Sequence, residues 1–242
     1  MKLDVLVLAA HPDDAELGCS GTVIKLVQQG RKVGIVDFTR GELGTRGTPQ
    51  LRLQEADAAA KIMGLSIREN LGLADGFFQV DEESKRAVIA AIRRYQPTLV
   101  LANAPEDRHP DHGRAGALAR EACFLAGLRK IETQHAGATQ AAWRPAKVLH
   151  YIQDRLLKPT LVVDITDQWP SKIEAIKAFS SQFFNPRTTE PETYISRNSF
   201  VSFLEGRARD MGHMIGAEFG EGFISIEPLK IDDPLLLAPG IA

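Results

Sequence analysis

Leu3-Asp4-Val5-Leu6-Val7-Leu8-Ala9-Ala10-His11-Pro12-Asp13-Asp14 decides the fold of this 242-residue chain. The run from Leu3 to Ala9 is rich in Val and Leu, the pattern of a strand buried on both faces of a parallel sheet. Pro12 and two carboxylates end it, so a polar loop leaves the carboxyl end of a buried strand. From Glu16 to about Gln29 the apolar residues Leu17, Val23, Ile24, Leu26 and Val27 recur with helical spacing, and Gly30 supplies a C-terminal stop.

Working outward, the same alternation continues. Strands are predicted at 32–38, near Ile67, at 98–102, 147–153 and 160–164, and helices at 49–63, 81–95, 114–126, 172–180 and 200–215. Strand followed by helix over the first part of the chain calls for right-handed crossovers. The expected fold class is α/β, with a Rossmann-like, doubly wound, mostly parallel sheet flanked by helices, in one domain over 1–242. Residues 39–49 carry Gly41, Gly44 and Gly47 and read as a mobile loop that could serve as a lid. Segments 130–144 and 184–197 read as surface loops.

Composition narrows the partners. With 29 basic and 31 acidic residues the net charge is −2, which gives no field to hold nucleic acid or an anionic membrane, so a small-molecule ligand is expected. Two cysteines, Cys19 and Cys123, are too few for a disulfide framework and fit a reducing, cytoplasmic setting. The apolar run at Val5 is too short to span a membrane.

A second motif, His109-Pro110-Asp111-His112, follows the strand predicted at 98–102. In a doubly wound sheet of order 3-2-1-4 the first and fourth strands are neighbours, and the crevice at their carboxyl ends receives both loops. Either motif alone could be a helix N-cap, because Asp accepts from free backbone N–H groups. Two of them meeting at one crevice point to a metal site: His11, Asp14 and one of His109 or His112 give the nitrogen and oxygen set of catalytic zinc. His112, nearer the helix start, is taken as the ligand. Asp13 is the candidate base, and His109, paired with Asp111, the candidate electrostatic stabiliser or acid. His135, His150 and His213 lack partners at metal spacing.

The stretches Ala10 to Gly21 and Arg108 to His112 resemble the LmbE-like, or PIG-L, family of zinc N-deacetylases. The likeness extends to Leu51-Arg52-Leu53-Gln54-Glu55, Asn70-Leu71-Gly72-Leu73, Ser181-Gln182-Phe183 and Gly222-Phe223. It implies an LmbE-like fold, Zn2+ held by His11, Asp14 and His112, and Asp13 as base. It also implies that His109, supported by Asp111, steadies the tetrahedral intermediate, and that Arg52 and Tyr194 meet the substrate. Arg108 is a further candidate, for a substrate carboxylate. Within the family the chain looks most similar to the bacillithiol biosynthesis branch, which hydrolyses N-acetylglucosaminyl malate; members often assemble as homo-oligomers, hexamers among them. Competing expectations are a thiol S-conjugate amidase, a chitooligosaccharide deacetylase, or a metal- or nucleotide-binding module without turnover. The absence of GxGxxG after the first strand argues against the nucleotide reading.

Overall fold

A computed structural model describes residues 1–183 and 188–232. Its sheet runs β3-β2-β1-β4-β7-β9-β8, where β1 is Val5–Ala9, β2 Val33–Asp37, β3 Ile67–Asn70, β4 Leu99–Asn103, β7 Lys147–Tyr151, β8 Leu161–Asp164 and β9 Gly220–Ile224. The five strands from β3 to β7 are parallel, and β9 pairs antiparallel with both β7 and β8. The order reverses between β1 and β4, as convergence of the two motifs requires.

β1 alternates its side chains between two apolar layers. Val5, Val7 and Ala9 pack with residues of α1 (Asp14–Gln28), α2 (Pro49–Met63) and α5 (Trp169–Lys177). Leu6, Leu8 and Ala10 pack with α3 (Glu82–Tyr95) and α4 (Pro110–Ala126). The last helix, α6 (Asn198–His213), lies against β9. Both cysteines are free and buried, and burial pushes the Cys123 thiol up to about 12 and the Cys19 thiol well above its ordinary value, which disfavours the reactive thiolate at either.

Several boundaries differ from expectation, and two of them matter for the site. α1 begins at Asp14, not Glu16, and α4 at Pro110, not Arg114, so Asp14, Asp111 and His112 occupy first helical turns. Pro110 favours this start because its fixed φ suits the first helical position and its missing N–H has no partner to lose. Segment 130–144, expected as plain loop, holds a small hairpin of β5 (Gln134–His135) and β6 (Ala138–Thr139). β9 was not expected as a strand at all, since Gly220-Glu221-Gly222 lacks the β-branched signature. Of the expected loop 184–197, residues 184–187 lie outside the described residues.

Charge is buried beneath α1. Lys172 donates to the carbonyls of Glu16 (2.9 Å) and Leu17 (3.0 Å) and to Glu221 (2.8 Å), while Glu221 accepts from the amides of Gly21 (2.9 Å) and Thr22 (2.7 Å). Arg207 adds a bond to the Leu17 carbonyl (2.7 Å). α5, α6 and β9 are thereby tied to one point on α1.

Gly18 sits against the fully buried ring of Tyr151, where an added Cβ would overlap the ring. Gly18→Ala is expected to destabilise the protein by about 1–3 kcal/mol through overpacking, despite a helix-propensity gain of up to about 1 kcal/mol. Urea unfolding checks this, and a variant as stable as the parent would mean that the ring has room to move.

Candidate metal centre

All the motif loops leave the carboxyl edge of the parallel strands and meet in a cleft of about 310 Å³. Its lining includes His11, Asp13, Asp14, Arg52, Arg108, His109 and His112. Among the described residues no helix is long and apolar enough to cross a membrane.

Asp14 is the hub. Its Oδ1 lies 3.1 Å from His112 Nε2, and its Oδ2 3.5 Å from His11 Nδ1. The carboxylate is oriented by Gln153 Nε2 (2.7 Å), Asn103 Nδ2 (3.0 Å) and the His11 amide (3.0 Å), while Asn103 Oδ1 accepts from Ala10 N (2.9 Å). Each histidine has its far nitrogen on carboxylate. His11 Nε2 is 3.0 Å from Asp75 and 3.3 Å from Asp111, and His112 Nδ1 is 2.6 Å from Asp107. That arrangement fixes the ring tautomer and leaves His11 Nδ1 and His112 Nε2 to offer lone pairs, the usual support of a metal-ligating imidazole.

The charge balance fits a cation. Asp13, Asp14, Asp75, Asp107 and Asp111 face Arg52 on Asp13 (2.9 Å) and Arg114 on Asp111 (2.8 Å). Burial opposes charge on His112, yet Asp14 and Asp107 hold the ring up at about 9. His11 is likewise held well above its ordinary value, against burial, by Asp111, Asp14 and Asp75. Carboxylates that pull protons onto two histidines are a set that a divalent cation would satisfy instead. Nitrogens of His11, His109 and His112 also lie within 4.8 Å of one another. His109, however, has no carboxylate hydrogen-bonded to its ring among the described residues.

Asp13 is held apart from this hub. Its φ of 117° breaks the chain between β1 and α1, and its carboxylate pairs with Arg52, which also donates to the Pro12 carbonyl. Burial pushes the Asp13 carboxyl up to about 7, Arg52 working against the rise and Asp14 with it. Gly41 makes room for Arg52, because a Cβ there would overlap the guanidinium.

The pairing of His109 with Asp111 needs correction. Asp111 is fully buried and its carboxylate bonds to His11, to the Gly76 amide (2.8 Å) and to Arg114, while only its backbone N–H reaches His109 Nδ1 (3.2 Å). Starting α4 at Pro110 turns the two side chains to different neighbours. His109 packs edge-on to His11 and stacks on His112, with ring centres at 4.8 and 5.2 Å. Tyr194 is outside the cleft lining; its ring lies 4.5 Å from the Arg108 guanidinium. His150 is buried and donates to the Asn103 carbonyl (2.7 Å), whereas His135 and His213 are exposed.

Asp75, Asp107, Asn103 and Gln153 escaped the sequence reading. Their one available signal was position, since each follows or ends a parallel strand at the cleft edge. Asp107→Asn is expected to weaken divalent-cation binding roughly 10- to 100-fold. Competition with a chromogenic chelator measures it, and unchanged affinity would mean that His112 does not depend on that carboxylate.

Residues 6–123 match the family described as PIG-L, GlcNAc-PI de-N-acetylase. The diacetylchitobiose deacetylase of Thermococcus kodakarensis is 31% identical over 189 residues, covering 74% of this chain and 70% of that protein. The chain belongs to the PIG-L family. Other relatives include a Bacillus anthracis protein named "Probable N-acetyl-alpha-D-glucosaminyl L-malate deacetylase 2", 26% identical over 74% of this chain and 81% of its own length. The 4-oxalmesaconate hydratase of Pseudomonas putida is 28% identical, over 73% of each. Among solved structures, a conserved protein from Thermus thermophilus superposes with a TM-score of 0.84 at 36% identity, covering 96% of this chain and 98% of that one. The PIG-L match spans His11, Asn103 and His112, three of the four side chains described as polar partners of the Asp14 carboxylate, and stops short of Gln153.

Proposed function

We propose that this PIG-L protein is a zinc-dependent N-deacetylase of GlcNAc-type substrates, with Zn2+ held by His11, Asp14 and His112. The observation that carries the reading is the convergence of two carboxylate-backed imidazoles on Asp14, with a separately held carboxyl, Asp13, beside them. When bound, the cation supplies Lewis-acid polarisation and makes a bound water more acidic.

The chain's own groups do the rest. Asp13, with a proton affinity near neutrality, takes a proton from the attacking water and is placed to return it to the departing sugar nitrogen. Its ion pair with Arg52 keeps the carboxylate in one orientation. His109 Nδ1 accepts the Asp111 amide, so the neutral ring carries its proton on Nε2. Burial keeps His109 below its ordinary value, so the ring is neutral and its N–H serves the oxyanion of the acetamide. Asp111 acts through His11 and is a positioning residue.

N-acetylglucosaminyl malate is the proposed substrate, with Arg108 at the cleft meeting the malate carboxylate. Diacetylchitobiose is the second reading, favoured by the 31% identical relative. Acetate release from both compounds, with and without chelator and after zinc restoration, tests the proposal. Chelator-sensitive release with malate preferred is expected, and Arg108→Ala should abolish the preference. Acetate from neither compound would sink the deacetylase reading and leave chemistry of the hydratase kind to be tried.

A further inference from the structure

Gln153, Asp154 and Arg155 leave β7 as a short bridge along the cleft edge. Gln153 reaches Asp14, and the amides of Asp154 (3.2 Å) and Arg155 (2.8 Å) both donate to Asp107 Oδ1, whose other oxygen holds His112. The Asp154 side chain turns the opposite way. It accepts from Arg108 Nε (3.4 Å), and the Arg108 guanidinium lies over the Tyr194 ring. Tyr194 is in turn braced edge-on by Phe200, at 5.4 Å, in the first turn of α6.

We propose that Asp154 is a positioning residue for substrate selection: its carboxylate holds Arg108 against the Tyr194 ring as one wall at the cleft mouth, and its backbone fixes that wall to the carboxylate behind His112. The proposal rests on the deacetylase reading and assigns the selectivity of that site. A rim arginine is about half exposed here, at 45% of its side chain, and would otherwise sample many rotamers. Held by an aromatic face and by its Nε, it makes no other hydrogen bond or ion pair among the described residues, so its two terminal nitrogens stay available for an anionic aglycone. The wall therefore favours a sugar carrying a carboxylate over a neutral disaccharide.

Asp154→Ala is expected to raise KM for N-acetylglucosaminyl malate about tenfold, with kcat within about twofold and diacetylchitobiose nearly unaffected, the signature of lost binding rather than lost chemistry. Tyr194→Ala, which removes the ring under Arg108, should cost activity toward the malate substrate in the parent and nothing further in the Asp154→Ala background, because the two hold Arg108 as one unit. Additive effects, or a fall in kcat on both substrates, would overturn the assignment.

A second measurement needs no turnover. The chain has three tyrosines, of which Tyr95 and Tyr151 are buried, so the difference between parent and Tyr194→Phe in an ultraviolet titration isolates the Tyr194 phenol. Partial burial and Asp154 both hold that phenol up. Asp154→Asn should move its ionisation to lower pH, and an unmoved titration would show that the wall does not form. Should the parent release no acetate from either sugar, the deacetylase reading falls while this titration still decides the contact.

Discussion

Asp13→Asn should lose turnover roughly 100- to 10,000-fold, the range for removing a positioned general base, while binding its divalent cation as tightly as the parent. Asn keeps the size of the side chain and is one of the few residues that tolerates a positive φ, so the 117° backbone at this position survives the change. The amide oxygen can still accept from Arg52, and the hub of His11, Asp14 and His112 is untouched. What disappears is a group able to take a proton. Steady-state kinetics with metal content measured on the same sample decides the matter. Turnover within tenfold of the parent would exclude Asp13 as the base, and loss of the cation would make it a ligand. A metal-binding module without catalysis would be indifferent to the substitution.

The largest effect on stability is expected at Lys172. Removing one partner of a buried ion pair costs about 3–5 kcal/mol, because the remaining charge has no solvent to turn to. Lys172→Met would leave Glu221 with no cation at ion-pair distance among the described residues and strip a donor from the Glu16 and Leu17 carbonyls. Against a typical net stability of about 5–15 kcal/mol this is a large share. Adding Glu221→Gln should recover much of the loss, since a neutral amide oxygen can still accept from Gly21 and Thr22. Urea denaturation of both single variants and the double variant tests the coupling. Additive losses would mean that Lys172 and Glu221 stabilise the fold independently.

The central sheet and the convergence of the two motifs were legible because both rest on local signals. Buried parallel strands have continuous apolar runs, and a His-Pro-Asp sequence after each marks the edge where ligands gather. The antiparallel end of the sheet was less legible. β9 begins Gly-Glu-Gly and gains its strand character from pairing with β7 and β8, a long-range property. The site shows the same division. His11, Asp13, Asp14 and His112 announce themselves within short motifs, whereas Asp75 and Asp107 become meaningful only once folding sets them behind an imidazole. Asp111 was found but given the wrong neighbour, because one turn of helix more or less decides which ring its carboxylate meets.

The cleft draws on the chain unevenly. Every side chain proposed to bind the cation or move a proton precedes residue 113, while Asp154, Gln182, Tyr194 and Ile195, which border or brace the entrance, come from connections that follow the fourth strand. Reactivity is thus written in the first half of the polypeptide, whereas choice of molecule is shared between Arg108 there and the later connections that hold it. Exchanging the later connections between relatives should redirect such a protein to new sugars and leave its hydrolytic apparatus in place.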